Sequence, residues 1–210
     1  MDSSTRPLRL LLYDATCRGT PWFPGLTHSW IAGAWLYRLL GRIDRSRGVE
    51  SWAEGLDWLA GIEADRSVEE IQFWGHGKWG QLRVDGEILE VSAIDTGHRW
   101  RPKLEAIRRR LTGPDALWWF RTCETFGCRP GHEFARRWTD FFDCRAAGHT
   151  FIIGPWQSGL HHIRPGQSPD WPVDEGLAEG TPDDPQRALW SKPWSPNTIT
   201  CFHNRHEVLQ

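Results

Sequence analysis

The chain has 210 residues, a length that fits one domain around a single hydrophobic core. Hydrophobic residues make up 39% and charged residues 25%, which excludes wholesale disorder. The net charge of -2 gives no general attraction to nucleic acid or to an anionic membrane, so neither is expected as a partner.

Residues 8–13 (LRLLLY) read as a buried strand, closed by the turn-prone Asp14. Ile31, Ala34, Trp35 and Leu39 follow the candidate cap Thr27 at helical spacing and predict a core-facing helix over 27–40. A short edge strand is expected within 42–49. Ser51-Trp52-Ala53-Glu54 is a capping box and opens a helix with Trp52, Leu56 and Leu59 on one face. Residues 71–74 (IQFW) form a central strand that runs into Gly75-His76-Gly77. The runs 82–84 and 87–89 flank Asp85-Gly86, a pair suited to the positive φ of a type I′ hairpin turn. Leu104, Ile107 and Leu111 mark a helix over 101–111, stopped at Gly113-Pro114. Residues 116–120 are an apolar strand ending at Arg121-Thr122-Cys123. Phe134, Trp138 and Phe141 mark another helix, and 151–153 reads as a further strand ending at Gly154.

From 155 to 197 the periodicity dissolves into Pro, Gly, Trp and acidic residues, before a last strand at 198–202. The predicted fold is α/β, a mostly parallel central sheet with helices on both faces, as one domain over 1–210. Tryptophan is over-used, at 15 against 2 Tyr. Most of the rings fall on helices and strands and are assigned to the core. Trp156, Trp171, Trp190 and Trp194 fall in the irregular segment, where they would wall a groove or cover the sheet.

In an open parallel sheet, ligands bind beyond the carboxyl ends of the strands. Three strand ends carry reactive residues: Asp14, Cys17 and Arg18 after the first, His76 after the third, Cys123 after the fourth. The five cysteines are odd in number, and no leader or membrane-spanning run is visible. A reducing cytoplasm without disulfides is therefore expected. A thiol and an imidazole at neighbouring strand ends form the pairing that a cysteine nucleophile requires, since the thiolate is the reactive form. The backbone N–H groups of Gly77 and Cys123 would face a developing oxyanion. No cofactor is needed.

These residues resemble the caspase–haemoglobinase fold of the clan CD cysteine peptidases, which includes caspases, gingipains, separases and self-processing domains of bacterial toxins. The likeness lies in a strand before His76-Gly77, a Gly-rich hairpin over 80–86, and a strand ending at Cys123. His76 and Cys123 stand 47 residues apart, against about 50 in caspases. The resemblance implies an endopeptidase that acts on a protein or peptide substrate, with Cys123 as nucleophile and His76 as proton carrier. It implies that Arg18 serves an acidic P1 side chain, whereas Asp14 would favour a basic one. Trp156 and His161, on the late segment, would border the cleft.

The chain departs from the caspase sequence Gln-Ala-Cys-x-Gly, with Arg121-Thr122-Cys123-Glu124-Thr125 in its place, and 140–148 leaves no room for a processed linker. Two other readings stand beside this one. One is a catalytically inactive module of the same fold that binds a partner through its Trp-rich segment. The other is a metal-dependent hydrolase using His76, His161 and His162. The Cys123/Cys128/His132 spacing lacks the tight knuckle of a zinc site, so no metal is expected there.

Overall fold

The computed structural model describes residues 6–20 and 22–201. Phe202, the end of the expected last strand, lies outside them. In chain order, β1 (Leu8–Asp14) leads through a small ribbon, β2 (Gly19–Thr20) and β3 (Phe23–Pro24), to helix α1 (Leu26–Leu39). β4 (Arg45–Val49), α2 (Trp52–Gly61) and β5 (Val68–Trp74) follow. A meander of β6 (His76–Lys78), β7 (Gln81–Val84) and β8 (Glu87–Glu90) then precedes α3 (Arg101–Arg108). β9 (Leu117–Arg121), α4 (Cys128–Phe142) and β10 (Arg145–His149) complete the alternating part. The chain ends with β11 (Trp156–Gln157), β12 (Leu160–Ile163), β13 (Leu177–Gly180), β14 (Pro185–Ala188) and β15 (Ile199–Thr200).

The six-stranded central sheet has the order β12-β10-β9-β5-β1-β4. All neighbours are parallel except β12, which runs antiparallel to β10. Parallel neighbours need crossovers, and α1, α2 and α4 supply three of them. The chain places β4 on one side of β1 and β5 on the other. The strand order therefore reverses at β1, the point at which doubly wound sheets open a crevice at their carboxyl ends.

Alternating side chains of β1 divide the core. Leu8, Leu10 and Leu12 join Trp52, Leu56, Leu104, Phe134 and Trp138 of α2, α3 and α4. Leu11 faces the other way and joins Ala34, Tyr37, Ile43 and Trp74 beneath α1. Helices thus cover both faces, as the α/β prediction requires. Ser51 caps α2 by accepting a hydrogen bond from the N–H of Glu54, while the Glu54 carboxylate accepts from the N–H of Glu50.

Four expectations need correction. The strand expected at 151–153 is displaced to Arg145–His149. Its residues are too small and polar to read as a strand, yet Ala146, Ala147, Gly148 and His149 are all buried. Gly148 lets β10 pass the Phe126 ring, which a Cβ would meet at 2.6 Å. The 155–197 segment is not structureless, because β12 extends the central sheet and β13 pairs with β14. α1 is rotated from its expected face: Ala34 is buried, but Ile31, Trp35 and Leu39 are exposed. The helix presses onto Trp74 through Gly33, where a Cβ would lie 2.7 Å from the ring. In the hairpin turn the positive φ falls on Asp85 (52°) and not on Gly86, unlike a type I′ turn. Of the 15 tryptophans, Trp52, Trp74, Trp79, Trp100, Trp118, Trp119, Trp138 and Trp171 are buried.

Candidate active site

A cavity of about 480 Å³ opens at the carboxyl ends of the parallel strands. Its wall contains Trp30 and Gly33 of α1, Trp74, Gly75 and His76 at the end of β5, and Arg121 and Cys123 at the end of β9. Ile153, Gly154, Pro155 and Gln157 close it from the loop after β10, with Cys201 beside them. The structure therefore brings His76 and Cys123 to one cavity, although they come from separate elements.

Backbone contacts tie the two sides together. The Gly80 N–H donates to the carbonyl of Thr125 at 2.8 Å, and the Trp79 N–H to that of Glu124 at 3.1 Å. Behind His76, the indole N–H of Trp52 donates to the Leu82 carbonyl and moors the meander to α2. Gly77 fits between Thr122 and Thr125, whose hydroxyls bond each other at 2.6 Å. A Cβ at Gly77 would lie 2.2 Å from the Thr125 hydroxyl and 2.8 Å from Thr122. Its missing side chain thus serves packing, and Gly77 is not among the residues of the cavity wall. Gly77→Ala should lower stability by about 1–3 kcal/mol through overpacking. Urea unfolding checks this, and an unchanged midpoint would refute the packing role.

The turn that carries Cys123 is constrained. Glu124 has φ 32° and Cys128 φ 58°, both in the left-handed region that non-glycine residues rarely occupy. The Glu124 N–H donates to the Phe151 carbonyl at 2.9 Å, which anchors the turn to the next loop. The Cys123 sulfur lies 4.0 Å from the Ile153 carbonyl. Burial pushes the thiol up to about 11, and the neighbouring Glu124 charge pushes in the same direction. Near pH 7 only about one thiol in ten thousand is then ionised.

Glu124 is itself buried, and its Oε2 has no hydrogen-bond partner among the described residues. Burial raises its carboxyl to about 7, against the pull of Lys78 and Arg83. Below about 7 the group is protonated in the fold, and above it a carboxylate stands beside the thiol. The folded form holds this proton more tightly than the unfolded chain, so the group costs stability increasingly as pH rises from about 4.5 to about 7. Glu124→Gln should leave Cys123 alkylation unchanged at acidic pH and accelerate it above about pH 7. Site-resolved alkylation rates against pH would show this, and identical profiles would refute the coupling.

Arg121 is the site residue that sequence reasoning missed. It is buried, and its guanidinium lies over the rings of Trp74 and Trp119, each at 4.9 Å, and of Tyr37 at 5.5 Å. It donates to the Gln157 side-chain carbonyl, the Tyr37 hydroxyl and the Cys201 carbonyl. All these partners are neutral, so among the described residues a buried cation lines the cavity without a carboxylate partner. An arginine closing the apolar run 116–120 was the only sequence signal for it.

The other expected site residues lie elsewhere. Asp14 is buried and accepts from the N–H and hydroxyl of Thr16, which shapes the turn after β1. Arg18 is largely exposed and pairs with Glu50. Neither lines the cavity. Trp156 is exposed and pairs with Thr200, while its neighbours Pro155 and Gln157 form the wall. His161 meets Glu175 at 2.6 Å and stacks on Trp171 at 4.7 Å, also outside the cavity wall. Among the described residues, no group of three or more His, Cys, Asp or Glu is arranged to hold a metal ion. Cys128 packs with Trp79 and Ala188, and His132 against Trp171, so they form no shared centre with Cys123. No helix among the described residues is long and apolar enough to cross a membrane.

Compared with known protein families, curated proteins and solved structures, the chain matches none. The fold and the site define an α/β protein with a cysteine–histidine cavity at the carboxyl edge of its sheet.

Proposed function

We propose that this protein is a caspase-like cysteine endopeptidase. The observation that carries this reading is the placement of His76 and Cys123 on the wall of one cavity, at the carboxyl edge of a sheet whose order reverses at β1. The thiol is neutral at rest, so its proton passes to His76 as sulfur attacks the scissile carbonyl carbon. The carbonyl oxygen gains the negative charge, and this reading assigns the Cys123 N–H as its donor. His76 then returns the proton to the leaving amine, the C–N bond breaks, and water hydrolyses the thioester.

Arg121 favours an acidic side chain in the cavity and takes the part expected of Arg18. A carboxylate there would supply the counter-charge that its neutral partners lack. The test is incubation with a peptide mixture followed by sequencing of the new termini. Cleavage after acidic residues is expected, and no new termini would refute the peptidase.

A second reading is favoured by one observation, the thiol held at about 11. A cysteine so reluctant to ionise suits a partner-binding module of the same fold without catalysis. In that case the peptide mixture stays intact while a partner still binds through the Trp-rich segment.

A further inference from the structure

We propose that Trp30 is the positioning residue for His76, in the role that a hydrogen-bonded third group plays in other nucleophile–base pairs. The inference rests on the Cys123–His76 reading. A catalytic base needs its ring held in one orientation. His76 begins β6 and is exposed, and among the described residues its ring has no hydrogen-bonded or ion-pair partner. Among the described residues its ring meets one other ring, that of Trp30, at 5.7 Å between centroids and 78° between planes. Trp30 is a firm support. It packs against the cluster of Leu11, Ala34, Tyr37 and Trp74, and Gly33 lets α1 approach that cluster closely. Both rings stand on the cavity wall.

An edge-to-face aromatic contact shifts the balance between ring orientations by about two- to tenfold. It does so by ring packing alone, which leaves the imidazole nitrogens without another partner among the described residues and open to take up the thiol proton. An otherwise unrestrained histidine at the mouth of a cavity would spend much of its time turned away from Cys123.

The experiment measures iodoacetamide alkylation of Cys123 by site-resolved mass spectrometry across the neutral pH range. It compares wild type, Trp30→Ala, Trp30→Phe, His76→Ala and the Trp30→Ala/His76→Ala double variant. His76→Ala should slow alkylation by at least about tenfold. Trp30→Ala should slow it by about three- to tenfold and flatten the pH profile, whereas Trp30→Phe, which keeps a ring, stays within about twofold. In the His76→Ala background, Trp30→Ala should have no further effect, because the two act as one unit. A Trp30→Ala effect that persists without His76 overturns the proposal, as does a Trp30→Ala rate equal to wild type. If His76→Ala leaves the rate unchanged, the Cys123–His76 pair itself falls, and the Trp30 assignment with it.

Discussion

Replacing Cys123 by alanine should abolish peptide cleavage, and replacing His76 by alanine should lower it by about 10²–10⁴-fold. The two losses differ in kind. Without the sulfur no thioester forms, whereas without the imidazole the proton still leaves to water, slowly. The step is demanding here, because burial and Glu124 hold the Cys123 thiol near 11, and little thiolate exists before substrate arrives. Both variants should fold as the wild type does. His76 is exposed with a ring free of hydrogen bonds among the described residues, and Cys123 contributes a weak contact to the Ile153 carbonyl. Circular dichroism and the urea midpoint check this in the same preparations. Cleavage that survives both substitutions would remove these residues from the chemistry.

Trp118→Ala should have the largest effect on the fold itself, about 3–5 kcal/mol. The side chain is completely buried on β9. It stacks on Phe120 at 5.7 Å and meets Trp138 and Phe142 at 5.4 and 5.3 Å. Its indole N–H has no hydrogen-bond partner among the described residues, so the stability it contributes comes from packing and apolar burial. Truncation leaves a cavity between β9 and α4 that these rings are too interlocked to fill. A domain of this kind has about 5–15 kcal/mol in total, so a large part of its stability would go. Trp118→Phe keeps a ring, removes the orphan N–H, and should cost less. Urea unfolding separates the two by midpoint at constant slope. A small loss for the alanine variant would show that the aromatic layer repacks, against the geometry described. The same strand leads directly into Arg121 and Cys123, so a loosened β9 should also blunt the site.

Much of the fold was legible because its signals are local. Apolar runs marked β1, β5 and β9, the Ser51–Glu54 box marked the start of α2, and Asp85-Gly86 marked the hairpin. The rule that ligands gather beyond strand ends then singled out His76 and Cys123 before any contact was known. Elements whose burial comes from neighbours were illegible. β10 is a strand because β9 and β12 flank it, not because Arg-Ala-Ala-Gly-His favours one. α1 shows its Ile31, Trp35 and Leu39 stripe to solvent because Gly33 fits Trp74.

The sequence by itself determined the alternation of elements, the α/β class and the two strand-end residues proposed for chemistry. Only the tertiary structure decided what surrounds them. It moved Arg18, Asp14 and His161 off the cavity, set Trp30 against His76, and brought in Arg121. The physical reason is the range of the interactions. Arg121 is held by Tyr37, Gln157 and Cys201, which lie 84, 36 and 80 positions away, and no periodicity or motif encodes such a meeting. Hydrophobic patterning specifies which face of an element is buried. Which charged group ends up buried on a cavity wall depends on how distant elements close over one another.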